Sequence, residues 1–320
     1  MPYRTEKMTT LTRADRIRGA IWGLLIGDAL GVPYEFKLPG DIPPVEQIEY
    51  APPQTFDRSH SGVPPGTWSD DGAHALCLLA SLLYCGRLHV EDLMHRLVNW
   101  YELGYMAVDG HVFDVGVQTS RALQAYRQGT PPIECGPCDV GDNGNGSLMR
   151  VLPLALWHQG SDAELVADAQ LQSRITHGHL RAQVCCALYC LWARNILNDA
   201  SDPWGAAVST LRTLYADGSG EQNELEFYIR PDDEPIGQGG GYVVDSLRSA
   251  RMVLAMGDYE SVVHAAIRLG RDTDTTASIA GGLAGLRVGA EGIPLRWRQN
   301  LREPELFAPL MEQLAARVID

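Results

Sequence analysis

Helical periodicity follows helical periodicity along this chain, and no set of alternating apolar and polar residues interrupts it. The pattern predicts helices over residues 12–30, 70–85, 90–103, 115–127, 148–157, 163–175, 180–197 and 203–215, then over 243–256, 259–268, 275–288 and 304–319. Such helices must bury their apolar faces against one another, so the expected class is all-α. No linker separates two self-sufficient cores, so a single domain over 1–320 is expected. In the first helix Gly19, Gly23 and Gly27 form a small-residue stripe suited to close packing. The stretch 37–66 is the exception: Pro- and Gly-rich and without periodicity, it reads as a lid or a disordered connection.

Two acidic stretches stand directly before apolar helical runs. The first is Thr67-Trp68-Ser69-Asp70-Asp71-Gly72, and the second is Gly270-Arg271-Asp272-Thr273-Asp274-Thr275-Thr276-Ala277. Acids and hydroxyls at a helix start are ordinarily caps for the free N–H groups of the first turn. Capping needs one oxygen per helix, whereas each stretch offers two carboxylates and at least one hydroxyl. Four carboxylates gathered in one place would repel unless cations sat between them. Hard oxygen ligands suit Mg²⁺ or Mn²⁺ rather than zinc. Asp28, at the end of the first helix, sits where the helix dipole favours cations, which hints at another duty.

A net charge of −14 with no clustered basic stripe argues against a nucleic-acid surface. An anionic small molecule remains compatible, since bound divalent cations would reverse the local sign. No apolar stretch reaches a membrane span and no signal peptide is visible, so a cytoplasmic protein without membrane contact is expected. The seven cysteines are odd in number and mostly lie in apolar helical runs, as reduced core residues would.

Several motifs carry weaker signals. Cys135-Gly-Pro-Cys138 imitates a redox motif, but no βαβ pattern surrounds it and loop chemistry follows it. The loop Asp142-Asn143-Gly144-Asn145-Gly146-Ser147-Leu148-Met149-Arg150 offers backbone N–H groups for a phosphate and Arg150 to pair with one; a turn plus a cap is the plain alternative. Thr176-His177-Gly178-His179 lacks a third zinc ligand and reads equally as hydrogen-bonding histidines. Phe113-Asp114-Val115-Gly116 reads as a helix cap by default. Gly239-Gly240-Gly241-Tyr242 is a flexible loop delivering one aromatic ring. No HExxH, Walker lysine, GxSxG elbow or His-Asp metal pair occurs.

Taken in order, GDALG (27–31) with Glu35, SDDG (69–72), FDVG (113–116), GNGSLMR (144–150), TH (176–177), GYVVDSL (241–247) and GRDTDTTA (270–277) resemble the ADP-ribosylglycohydrolases. The resemblance runs from about residue 13 to 290, and the two Asp motifs together make it specific. It implies an orthogonal all-α bundle with two divalent cations, Mg²⁺ or Mn²⁺, at the bottom of a cleft. Ser69, Asp70, Asp71, Asp272, Asp274 and Thr275 match the metal-ligand positions. Glu35 would lie on a loop that closes over the site, and Asp114 falls where the family places an acid near the ribose. Asn145, Gly146, Ser147, Met149, Arg150, His177 and Tyr242 would hold ADP-ribose.

The implied activity is hydrolysis of the N-glycosidic bond between ADP-ribose and a modified side chain, with arginine the leading acceptor. Such cleavage builds positive charge on the ribose and needs an activated water, with Glu35 or Asp71 as general base. Asp114 would stabilise the charged ribose or assist ring opening. Gly72 stands where the family usually has Thr, Arg271 where many relatives have Gly, and Val117 where Asn is common; these departures bear on substrate choice. Another ribosylated acceptor is a further reading, and so is a protein that binds ADP-ribose or blocks a toxin by plugging its site. Plugging calls for an added arm, and only Met1 to Thr12 precedes the first predicted helix, so hydrolysis leads; no surplus amphipathic segment asks for a partner, so a monomer is expected.

Overall fold

The computed structural model describes residues 11–317; the segment considered for a plugging role, and the end of the last predicted helix, therefore lie wholly or largely outside the described residues. Its helices are α1 (Arg13–Gly31), α2 (Asp70–Cys85), α3 (Val90–Leu103), α4 (Val117–Arg127), α5 (Pro132–Cys135), α6 (Leu152–Trp157), α7 (Asp162–Arg174), α8 (Leu180–Leu197), α9 (Pro203–Leu214), α10 (Gly220–Asn223), α11 (Val243–Leu254), α12 (Tyr259–Ile267), α13 (Thr273–Val288), α14 (Leu295–Asn300) and α15 (Pro304–Ala316). No β-strand occurs among the described residues; an isolated bridge joins Gly144 to Tyr242. The fold is all-α, as the periodicity predicts.

The first helix starts on a capping box, Thr12 accepting from the Asp15 N–H while Asp15 returns to the Thr12 N–H. From Ile17 onward it is buried nearly all round, the signature of a central helix. It runs antiparallel to α13 along a seam without side chains. A Cβ at Gly19, Gly23 or Gly27 would overlap the carbonyl oxygens of Gly285, Gly281 or Ala277, and one at Gly31 would overlap the Asp274 backbone. The small-residue stripe thus extends one turn further than predicted. It brings the end of α1 against the start of α13.

Differences from the predicted boundaries have local causes. Residues 148–151 form a turn, and α6 begins only where Pro153 can occupy its first turn. α4 starts two residues late, with Gly116 at the N-cap, so Asp114 is no cap. α13 starts two residues early, putting Asp272 at the N-cap and Asp274 in the first turn. The short α5, α10 and α14, and a π-helical segment Glu224–Ile229, are too brief to show a period. The 37–66 stretch is tied down: the Tyr34 hydroxyl donates to the Glu49 carbonyl at 2.9 Å and the Tyr50 hydroxyl to the Trp297 carbonyl at 3.1 Å. Cys135 is buried and Cys138 exposed, and both are free thiols.

Candidate active site

Three helix ends converge beside a cavity of about 580 Å³. The N-termini of α2 and α13 bring their acids and their positive dipole ends together. The C-terminal turn of α1 brings Asp28. Its carboxylate is wholly buried and accepts from the Ser69 N–H at 2.9 Å and the Gly72 N–H at 2.7 Å. The acid that looks misplaced on its own helix serves the N-terminus of another. Burial still outweighs those two donors and pushes Asp28 up to about 7.

At α2 the cap is Ser69, whose hydroxyl accepts from the Asp71 N–H at 3.3 Å. Both carboxylates are therefore left over from capping. At α13 Asp272 holds the cap position but makes no capping bond; its Oδ2 accepts from the Asn145 amide at 2.7 Å. The Thr275 hydroxyl donates to Asp71 Oδ2 at 3.2 Å and so links the two helix starts. Two carboxylate oxygens, Asp71 Oδ1 and Asp274 Oδ2, are buried without a partner among the described residues. Asp70, Asp71 and Asp274 are raised well above the ordinary range, first by burial and then by neighbouring acids; Asp272 is raised by burial against the pull of Asn145. Burial, then Asp114, Asp272 and Asp28, pushes Glu35 up to about 10.

None of these acids pairs with an Arg or Lys among the described residues; Glu35 pairs with His60. Buried carboxylates without counter-charge cost several kcal/mol each. Protons or external cations must balance them. Oxygen atoms of Glu35, Asp272 and Asp274 lie within 4.8 Å of one another, near enough to share an ion. The donor set, oxygen only, fits hard divalent cations. Orphaned oxygens and donor chemistry together make the proposed ligand residues fit such ions.

The cavity wall contains Glu35, Asp70, Asp114, Asn145, Gly146, Met149, His177, Asp272 and Thr275 of the expected residues. Ser69, Asp71 and Asp274 are not in the wall; they are buried with Asp70 and Thr275 at the two helix starts. Three expected substrate contacts are placed differently. Arg150 is wholly buried, donating through Nε to the Gln172 side chain at 3.0 Å and through Nη2 to the Gln172 carbonyl at 2.7 Å. The Ser147 hydroxyl faces Ser173 at 2.8 Å, and Tyr242 stands outside the wall with its hydroxyl accepting from Arg181 at 3.1 Å. The turn at 148–151 points Arg150 backward, where it braces the loop on α7.

Asn145 organises that loop: its amide also donates to the Ser246 hydroxyl at 2.9 Å, and its N–H donates to the Gly241 carbonyl at 3.1 Å. A Cβ at Gly146 would crowd the His177 ring. Burial, then Arg150, lowers His177 to about 3, so its imidazole is neutral. Asp114 has φ of 52°, a strained value for a non-glycine residue at the cavity edge. Arg271, in the same wall, also has positive φ, and its Nη1 donates to the Gln238 carbonyl at 2.7 Å. Sequence reasoning missed Phe36, Gln118 and Thr119 of the wall, and the partner His60. The first three sit beside motif residues, whereas His60 carried no signal in its aperiodic loop.

The sequence profile described as ADP-ribosylglycohydrolase matches residues 9–320. The ADP-ribosylarginine hydrolase Tri1 of Pseudomonas putida is 31% identical over 319 residues, covering 98% of this chain and 81% of that protein. The ADP-ribosyl-dinitrogen reductase glycohydrolase of Rhodospirillum rubrum is 30% identical over 306 residues, covering 92% of each. A solved structure titled ADP-ribosylglycohydrolase-related protein complex superposes with a TM-score of 0.77 at 30% identity, covering 96% of this chain and 99% of that one.

Proposed function

The chain belongs to the ADP-ribosylglycohydrolase family and is a glycosyl hydrolase, and from that premise we propose a divalent-cation-dependent enzyme that releases ADP-ribose from a modified protein side chain, with arginine the leading acceptor. The observation that carries the reading is the group of buried carboxylates beside the cavity, two of whose oxygens lack a partner among the described residues. When bound, two Mg²⁺ or Mn²⁺ ions held by Ser69, Asp70, Asp71, Asp272, Asp274 and Thr275 would supply Lewis-acid charge that ionises nearby carboxylates and water.

Glu35 faces the cavity whereas Asp71 lies outside its wall, so Glu35 is the better placed to take the proton of an attacking water. The protein's own surroundings push Glu35 up to about 10, which would leave it protonated and unable to act as a base at neutral pH. A base role therefore itself requires cationic charge close by. Asp114 borders the same space and offers negative charge to the oxocarbenium-like ribose. Asn145, Gly146, Met149 and His177 form the wall along which the rest of ADP-ribose would lie. With His177 neutral and Arg150 turned away, Arg271 is the cationic side chain in that wall that a diphosphate could meet, beside uncharged donors. A cavity of about 580 Å³ has the size of a small-molecule site.

The test is release of free ADP-ribose from an arginine-ADP-ribosylated protein in Mg²⁺, in Mn²⁺ and in EDTA. Release is expected with either ion and none with EDTA. An Asp70→Ala, Asp272→Ala double variant should lose at least about a thousandfold in rate, since several kcal/mol of charge stabilisation disappear. Persistent hydrolysis in that variant would sink the ligand assignment. No release by the wild-type protein under any condition, with ADP-ribose binding intact by calorimetry, would make it a binder.

A further inference from the structure

Glu35 is held from two directions by one short segment of the 37–66 stretch. The His60 Nε2 and Glu35 Oε2 share a hydrogen bond of 2.6 Å, and the neighbouring Ser59 hydroxyl donates to the Glu35 carbonyl oxygen. The Ser59 N–H in turn donates to the Pro33 carbonyl at 2.9 Å, so Ser59 spans the turn that carries Glu35. The imidazole lies between aromatic rings, with centroids 5.1 Å from Phe113 and 5.8 Å from Phe36. These two residues flank the catalytic candidates Asp114 and Glu35 in the chain.

His60 itself has φ of 49°, in the left-handed region that costs a non-glycine residue roughly 1–3 kcal/mol. Its carbonyl is fixed by the Val63 N–H at 2.8 Å, and the rest of the segment is tied through Ser59 to the turn at Pro33 and Glu35 that follows α1. The surroundings thus hold a strained residue in a conformation that places its ring on Glu35. His60 does not belong to the cavity wall, so it does not meet the reacting atoms directly. Ligand atoms of Glu35, His60 and Asp114 also lie within 4.8 Å of one another, and an ion that took both Glu35 Oε2 and His60 Nε2 would have to break the 2.6 Å bond.

We propose that His60, assisted by Ser59, is a positioning residue that fixes the rotamer of the Glu35 carboxylate toward the cavity. The inference rests on the role given above to Glu35. Without the imidazole, Glu35 keeps no side-chain hydrogen-bond partner among the described residues, and its carboxylate is free to rotate. Partners of this kind, one step removed from the chemistry, typically contribute ten- to a hundredfold to activity.

The experiment compares wild type with His60→Ala, His60→Gln and Ser59→Ala in saturating Mg²⁺, measuring kcat and KM for ADP-ribose release and amide exchange across residues 34–37. His60→Ala should lower kcat about 10- to 100-fold with KM within about twofold, and should speed exchange in that segment. His60→Gln, which can still donate to a carboxylate, should recover to within about threefold of wild type; Ser59→Ala should lose less than His60→Ala. Wild-type kcat in His60→Ala, or losses in kcat and KM that glutamine does not rescue, would overturn the proposal. If the alanine variant fails to fold, the glutamine variant carries the test, and a kcat as low as that of a Glu35→Ala variant overturns it. If wild type releases nothing, the hydrolase reading fails on its own, and equal exchange in wild type and His60→Ala then overturns the clamp separately.

Discussion

The starts of α2 and α13 look alike in sequence and are built differently. At α2 a serine caps the helix and a buried acid from α1 takes two further N–H groups, leaving Asp70 and Asp71 unspent. At α13 the acid in the cap position does no capping and is oriented by an asparagine from a distant loop. One start is supported by a helix it packs beside, the other by the wall of the cavity. The difference teaches that the free N–H groups of the α2 start are served from the core, whereas Asp272 of the α13 start is oriented by a residue of the cavity wall, where substrate would lie.

The largest test concerns what both starts share, a surplus of buried negative charge. Burial and neighbouring acids raise Asp28 from 3.8 to about 7 and Glu35 from 4.5 to about 10. A raised carboxyl contributes stability below its unfolded pKa and loses it as pH climbs through the folded value. In EDTA the melting temperature should therefore fall by about 2 °C or more per pH unit between pH 5 and 8, and saturating Mg²⁺ should flatten that slope. A flat or rising profile in EDTA would show that the acids are balanced within the protein.

Next comes the core-supported start. Asp28→Ala leaves the Ser69 and Gly72 N–H groups buried without acceptors, which should cost about 2–4 kcal/mol by denaturant titration in saturating Mg²⁺. A loss below about 1 kcal/mol would mean that water reaches those groups and that the α2 start is not core-supported. Asn145→Ala should have the smallest effect on stability, about 1–2 kcal/mol, because it removes bonds at the cavity rather than under it. Its larger consequence should be on ADP-ribose affinity, about tenfold weaker by calorimetry. Equal stability losses in the two variants would erase the distinction between the starts.

The motifs flanking α2 and α13 were legible because their acids exceed what capping uses, a count available from the chain alone. The glycine stripe of α1 was legible for a similar reason: small residues every fourth position have one common use, close approach of another backbone. Arg150 was misread because its direction depends on where α6 begins, and an early proline moved that start past it. Asp114 looked like a cap because helix boundaries blur by a residue or two, and here Gly116 took the position.

By itself the sequence determined the all-α class, the family and the two acidic helix starts, since each is written in local spacing or in residue types one after another. Only the tertiary structure decided that Asp28 serves α2, that Asn145 orients Asp272, that Arg150 turns away from the cavity and that His60 meets Glu35. Those pairs are separated by 25 residues or more in three of the four cases. The fourth turns on the exact residue at which a helix begins. Neither a partner's distance in the chain nor the rotation set by a helix start leaves a periodic trace, because both arise only when the helices pack.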